Sequence, residues 1–227
     1  MKKALVISGG GSKGAFAGGV AEYLLKEKKN TYDIFLGTST GSLMVSHLAL
    51  GEIDALKTIY TGVNQRSIFN INPFRITNKN GVTIVNIRHS ATLLSFLKGS
   101  KTFGESKNLR KLITKKITKD IYDTILKEKK EVVVTISNFT ANRIEYKSIQ
   151  EHSYEDFCDW IWGSCNYIPF MSLLEKNGYQ YGDGGFGCLI PIREAIERGA
   201  KVIDAIILET EITQINRMPA KNPFSLL

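Results

Sequence analysis

At 227 residues and 43% hydrophobic content, the chain can bury one sizeable core, and no Pro/Ser-rich linker divides it, so a single domain over 1–227 is expected. No apolar run approaches the roughly 18 residues of a membrane span, and the five mostly apolar residues after Met1-Lys2-Lys3 fall short of a signal-peptide core of roughly 7–15. Cys158, Cys165 and Cys188 are an odd, sparse set without metal-ligand spacing; small core residues, a cytoplasmic protein, and neither metal nor cofactor are expected.

In chain order, Ala4 to Ser8 reads as a buried strand that runs into Gly9-Gly10-Gly11-Ser12-Lys13-Gly14. The glycine loop opens a helix predicted over 14–28, with Phe16, Val20, Leu24 and Leu25 on its apolar face. Unpaired N–H groups converge where that helix begins, a place suited to negative charge. A second strand, 33–37, ends in Gly37-Thr38-Ser39-Thr40-Gly41. This is the G-x-S-x-G pattern in which a strand turns sharply into a helix and holds a serine oxygen out of the fold, ready to attack a carbonyl. Helices are predicted over 41–50 and 52–61. Residues 66–104 set Phe69, Ile71, Phe74, Leu93, Leu94, Phe96 and Leu97 among polar residues, and are expected either to form a lid or acyl-chain groove or to pack over the sheet.

The net charge of +8 is unevenly placed, since Lys107–Lys130 holds nine Lys/Arg against three acids. Leu109, Leu112, Ile113, Ile117, Ile121 and Ile125 put this stretch on one amphipathic helix, either a solvated outer face or a surface drawn to anionic lipid headgroups. No nucleic-acid partner is expected, because no groove-reading motif is present. Glu131 to Asn138 and Arg143 to Ile149 read as a hairpin, followed by a helix over 154–165 that contains Trp160 and Trp162. Tyr179 to Tyr181 is a short strand, 191–198 a helix starting at Pro191, and Val202 to Leu208 a final buried strand. Alternating strands and helices predict a mostly parallel sheet covered on both faces, a three-layer α/β/α sandwich. The tail, 212–227, holds a helix start at Asn222-Pro223 where the sequence stops, and is expected to be disordered or to continue in a longer natural chain.

Gly9-x-Gly11-x-x-Gly14 after a strand also fits a dinucleotide fingerprint, and Asp33 has about the spacing of its ribose-binding acid. Asp33 nevertheless stands at the start of the second strand rather than its end; alone, the loop leaves either reading open. A phosphate-binding P-loop fits worse, because Gly14 is followed by Ala15-Phe16. A nucleophilic Ser39 needs a base, and the histidines are His47, His89 and His152. None precedes Ser39, which excludes two of the three familiar triad orders; the third, Ser-acid-His, is arithmetically open through His152. The other candidate is Asp183, flanked by glycine in Tyr181-Gly182-Asp183-Gly184-Gly185, where the backbone can pass close enough for the carboxylate to reach a serine hydroxyl.

The glycine loop, the serine turn and Asp183-Gly184-Gly185, in that order, resemble the patatin-like acyl hydrolases (patatin-like phospholipases) over residues 5 to about 200. The resemblance implies a Ser39–Asp183 dyad without histidine and a patatin-like fold. It implies an oxyanion hole built from Gly9, Gly10, Gly11, Ser12, Lys13 and Gly14, a nucleophile elbow formed by Gly37, Thr38, Thr40 and Gly41, and an acid motif completed by Gly184 and Gly185. Phospholipids, lysophospholipids and other acyl lipids are the implied substrates. A nucleotide-binding or regulatory module, and an acyltransferase to an acceptor other than water, are the alternatives.

Overall fold

The computed structural model describes residues 1–209 apart from position 98, so the expectation for the tail, 212–227, lies outside the described residues. Strands β1 (Lys3–Ile7) and β2 (Ile34–Thr38) are the centre of the sheet, linked by helix α1 (Gly14–Glu22), whose last turns widen into a π-helical segment, Tyr23–Glu27. Alternation along β1 and β2 separates two apolar sets. Leu5, Ile7 and Phe35 face one core with Ala17, Ala21, Met44, Leu48, Phe157 and Ile161. Ala4, Val6, Ile34 and Leu36 face a second, thinner core with Val133, Ala195 and Ala200. Both strand faces are therefore covered, and the architecture is a three-layer α/β/α sandwich.

After β2 come helices α2 (Val45–Ala49), α3 (Ile53–Gly62) and α4 (Gln65–Ile68), then a hairpin of β3 (Phe74–Lys79) and β4 (Val82–Ile87), and helix α5 (His89–Leu97). Helices α6 (Lys107–Lys116) and α7 (Lys119–Lys127) lead to β5 (Glu131–Asn138), β6 (Arg143–Ser148) and α8 (Tyr154–Ser164). The chain closes with β7 (Leu174–Lys176), β8 (Tyr179–Asp183), α9 (Ile192–Glu197) and β9 (Val202–Ile206). The main sheet runs β7-β8-β5-β2-β1-β9, with β6 paired to β5. β9, β1, β2 and β5 are parallel, while β6, β8 and β7 add antiparallel pairs.

One detail of this topology places the site. Along β5, residues 131–135 pair with β2 and residues 136–138 pair with β8, while β6 takes the other edge over 133–138. β2 and β8 therefore share one edge of β5, meeting where Thr38 pairs with Thr135 and Asp183 with Ile136. The C-terminal ends of two strands 144 residues apart in sequence are brought together.

The structure departs from the sequence expectations in several places. The basic stretch is two helices rather than one, because Thr118 caps α7 by accepting a hydrogen bond from the Ile121 N–H at 3.3 Å. Phe16 is 65% exposed, since α1 rests on the sheet through Gly14, Ala17 and Ala21 and Phe16 lies about 100° round from Ala17. The last strand has partly exposed side chains and, among the described residues, is paired only with β1. Within 66–104 the chain forms β3, β4 and α5, which the sequence reading did not resolve into elements.

Candidate active site

β2 delivers the serine turn. Thr38 is extended, and Ser39 then takes φ +53° at the head of a single 3₁₀ turn, Ser39–Gly41. That left-handed conformation costs a non-glycine residue roughly 1–2 kcal/mol and holds the side chain up at the strand end. The turn is tight enough that a Cβ at Gly37 would lie 2.4 Å from the Gly41 carbonyl carbon, and one at Gly41 2.3 Å from the Ile7 oxygen. Only glycine fits at either position.

Beneath the turn runs a buried chain of hydroxyls. The Ser39 N–H donates to Ser164 Oγ at 3.0 Å, Ser164 Oγ lies 2.7 Å from Ser42 Oγ, and Ser42 donates to the Gly37 carbonyl at 2.9 Å. Each hydroxyl has one proton, so Ser164 must be the donor to Ser42. The Cys165 thiol, driven well above its ordinary pKa by burial, donates to the Ser39 carbonyl at 3.1 Å. The C-terminal end of α8 thus grips both backbone polar groups of Ser39. These contacts join parts of the chain more than 120 residues apart, and no local motif announces them.

Asp183 arrives from β8 on the shared edge of β5. Ser39 Oγ donates to Asp183 Oδ2 at 2.5 Å, and the Gly185 N–H donates to Oδ1 at 2.7 Å. The Asp183 N–H donates to the Asn166 carbonyl at 2.9 Å, which fixes the backbone as well. The residue is 3% exposed; burial raises its carboxyl to a pKa of about 6, against the opposing pull of the Ser39 and Gly185 hydrogen bonds. Asp183-Gly184 begins a 3₁₀ turn, Gly184–Phe186, rather than a hairpin, and a Cβ at Gly184 would stand 2.3 Å from the Thr135 oxygen.

The glycine loop lies against this pair. A Cβ at Gly9 would sit 3.2 Å from the Ser39 Cβ, and one at Gly14 2.6 Å from Thr40 Oγ1. The Gly9 N–H is engaged by the Leu189 carbonyl at 3.2 Å. The N–H groups of Gly10, Gly11 and Ser12 make no hydrogen bond to any described residue, and Gly11, Ser12 and Lys13 are exposed. Thr38 Oγ1 donates to the Cys188 carbonyl at 3.1 Å, tying the nucleophile turn to the segment after the acid motif.

The remaining candidates lie elsewhere. His47 is buried with Nδ1 2.8 Å from Glu52 Oε2, and His152 packs on Trp160 with its pKa lowered first by burial. Neither contacts Ser39 or Asp183. Asp33 accepts from the Lys3 N–H at 2.9 Å, at the end of the sheet away from the glycine loop, roughly 15 Å of strand removed. Trp160 and Trp162 are core residues, the latter donating to the Ser106 carbonyl at 3.0 Å. Among the described residues, no three His, Cys, Asp or Glu side chains are grouped to hold a metal ion.

Comparisons with known proteins bear on the family and the fold. The chain is 24% identical over 223 residues to an uncharacterised Escherichia coli protein, YjjU, covering 95% of this chain and 54% of that protein. Its fold is similar to the crystal structure of VipD from Legionella pneumophila, with a TM-score of 0.51 and 15% identity, over 83% of this chain and 46% of VipD. The chain thus spans about half the length of the proteins it matches. The family model for patatin-like phospholipases, a family of lipid acyl hydrolases, matches residues 5–196, and the chain belongs to that family.

Proposed function

We propose that this protein is a serine acyl hydrolase that cleaves carboxylic esters of lipids, of phospholipase A or lysophospholipase type, through a Ser39–Asp183 dyad. The observation that carries this reading is the 2.5 Å hydrogen bond from Ser39 Oγ to Asp183 Oδ2, made at a strained turn beside backbone donors that no described residue engages.

Ser39 Oγ attacks the ester carbonyl carbon as its proton passes to Asp183 Oδ2, and the carbonyl electrons move onto oxygen. The N–H groups of Gly10, Gly11 and Ser12 receive that oxyanion, and the exposed Lys13 adds positive charge to the loop. When the tetrahedral intermediate collapses, the alcohol leaves with the proton held by Asp183. Water then repeats the sequence on the acyl-serine, giving up a proton to Asp183 as it attacks. A carboxyl with a pKa of about 6 is both ionised at neutral pH and far more basic than an ordinary aspartate, which suits this shuttle.

The test is ester turnover by wild type, Ser39→Ala and Asp183→Asn on p-nitrophenyl butyrate and on a long-chain phosphatidylcholine. Loss of hydrolysis in both variants, with melting curves that remain cooperative, supports the dyad; turnover near wild type in either variant refutes it. Product analysis with an added alcohol separates hydrolysis from transfer to a non-water acceptor.

A further inference from the structure

Residues 74–97 stand apart from the sandwich and present apolar side chains to solvent. Among the described residues β3 and β4 pair only with each other, and a lone two-stranded hairpin is marginal in water. Strand alternation puts Phe74, Ile76, Val85 and Ile87 on one face, and Arg75, Lys79, Val82 and Ile84 on the other. Ile76, Val82, Ile84 and Val85 are 38–62% exposed. In α5, Leu93, Leu94 and Leu97 share one side and are 53–78% exposed. Soluble monomers rarely gather so many apolar side chains in one exposed region.

The charge of this region has one sign. From Phe74 to Leu97 the charged residues are Arg75, Lys79 and Arg88, with no Asp or Glu. Arg75, Arg88 and His89 line one open depression of about 500 Å³ with Ile87 and Ser90.

The excursion is anchored at its base, where Ile71 bridges Glu105 and the Phe103 N–H donates to the Pro169 carbonyl at 2.8 Å. From there a run of aromatic contacts leads to Phe186, in the turn that follows Asp183. Phe96 of α5 meets Phe103 at 5.7 Å between ring centres, Phe103 meets Phe170 at 5.6 Å, and Phe170 stacks on Tyr167 at 6.3 Å. Tyr167 stacks on Phe186 at 5.0 Å, three residues beyond Asp183.

We propose that β3, β4 and α5 form the surface by which the protein docks on an anionic lipid bilayer, with the Phe103–Phe170–Tyr167–Phe186 track guiding acyl chains towards Ser39. This rests on the reading of the site as a lipid acyl hydrolase. The charge selects the occupant: two copies meeting through this cap would bring only cations together, whereas acidic headgroups complement the arginines and the acyl layer below accepts the leucines and valines. The basic stretch Lys107–Lys130 fits a bilayer less well. Leu109, Ile113, Tyr122 and Ile125 are turned into the core, and Lys107, Arg110 and Lys119 are paired with Glu105, Asp159 and Asp123.

The experiment is flotation with vesicles of phosphatidylcholine, alone or mixed with phosphatidylglycerol, on the Ser39→Ala protein, so that docking is read without catalysis. Preference for the mixed vesicles is expected. Leu93→Asp/Leu97→Asp and Arg75→Ser/Arg88→Ser should each weaken that binding by about tenfold or more. In the Ser39 background the same cap variants should lose vesicle-lipid hydrolysis yet retain wild-type turnover of p-nitrophenyl butyrate, with unchanged melting temperatures. Absence of vesicle binding, wild-type binding by the cap variants, or its loss only in Lys111→Glu/Lys115→Glu/Lys116→Glu would overturn the proposal. Cap-dependent dimers without vesicle binding would also overturn it. If p-nitrophenyl butyrate is not hydrolysed but flotation behaves as described, the catalytic reading fails and the docking surface does not.

Discussion

Asp183→Asn is expected to stabilise the fold while abolishing hydrolysis. Asp183 is 3% exposed and its pKa is raised from 3.8 to about 6, with burial as the leading cause. At about 1.4 kcal/mol per pKa unit, that difference makes the ionised carboxylate cost roughly 3 kcal/mol of stability at neutral pH. The sign follows from proton binding. The folded state holds this proton more tightly than the unfolded state, so its contribution is full below about pH 4 and is lost as pH rises through about 6. Asparagine is neutral throughout and keeps an oxygen for the Gly185 N–H, but it turns an NH₂ towards Ser39, which offsets part of the gain. A net stabilisation of about 1–3 kcal/mol at pH 7 follows, worth about 2–4 °C in Tm per kcal/mol for a chain of this size. Denaturation of wild type and Asp183→Asn between pH 4 and 8 measures it. The two stability curves should approach each other near pH 4, diverge as pH rises to about 6, and stay a constant distance apart above that. Curves that run parallel between pH 4 and 6, or a variant less stable than wild type at pH 7, would refute the account of a buried, destabilised carboxylate.

The same pKa predicts that kcat/KM falls on the acid side with a single-proton limb near pH 6, because protonated Asp183 cannot accept from Ser39; a limb near pH 4 would argue for a solvated carboxylate. Ser39→Gly should be more stable than Ser39→Ala by about 1 kcal/mol, since only the former relieves the left-handed backbone, and equal melting temperatures would count against strain at the turn. Ser164→Ala should cost about 1–3 kcal/mol by orphaning the buried Ser39 N–H. If Ser164 positions the nucleophile, kcat should also fall about tenfold at unchanged KM and recover in Ser164→Thr; a stability loss with intact kcat would leave it a purely structural role.

What the sequence displayed and what it concealed divide along physical lines. The serine turn, the glycine loop and the central strands were legible because each needs a local signature: glycine where backbones pass within van der Waals range, and unbroken apolar runs where a strand is covered on both faces. The break at Thr118 was hidden by an apolar period that continues in phase across it. The β3–β4 and β7–β8 hairpins, absent from the expected elements, do carry a local sequence signal. Asn80-Gly81 and Asn177-Gly178 both take positive φ at two-residue turns, where Asn-Gly is the favoured pair. Phe16 is exposed despite its apolar side chain, because the small residues Gly14, Ala17 and Ala21 set how closely α1 approaches the sheet. The grip of Ser164 and Cys165 on Ser39 had no sequence signal, because it exists only once α8 packs beneath the turn.

The most direct test of the central claim is covalent labelling with a fluorophosphonate probe followed by peptide mass spectrometry. The Ser39–Asp183 pairing predicts a single adduct on Ser39 in wild type, none in Ser39→Ala, and much slower formation in Asp183→Asn. An unlabelled wild-type protein, or an adduct on a different residue, would contradict it.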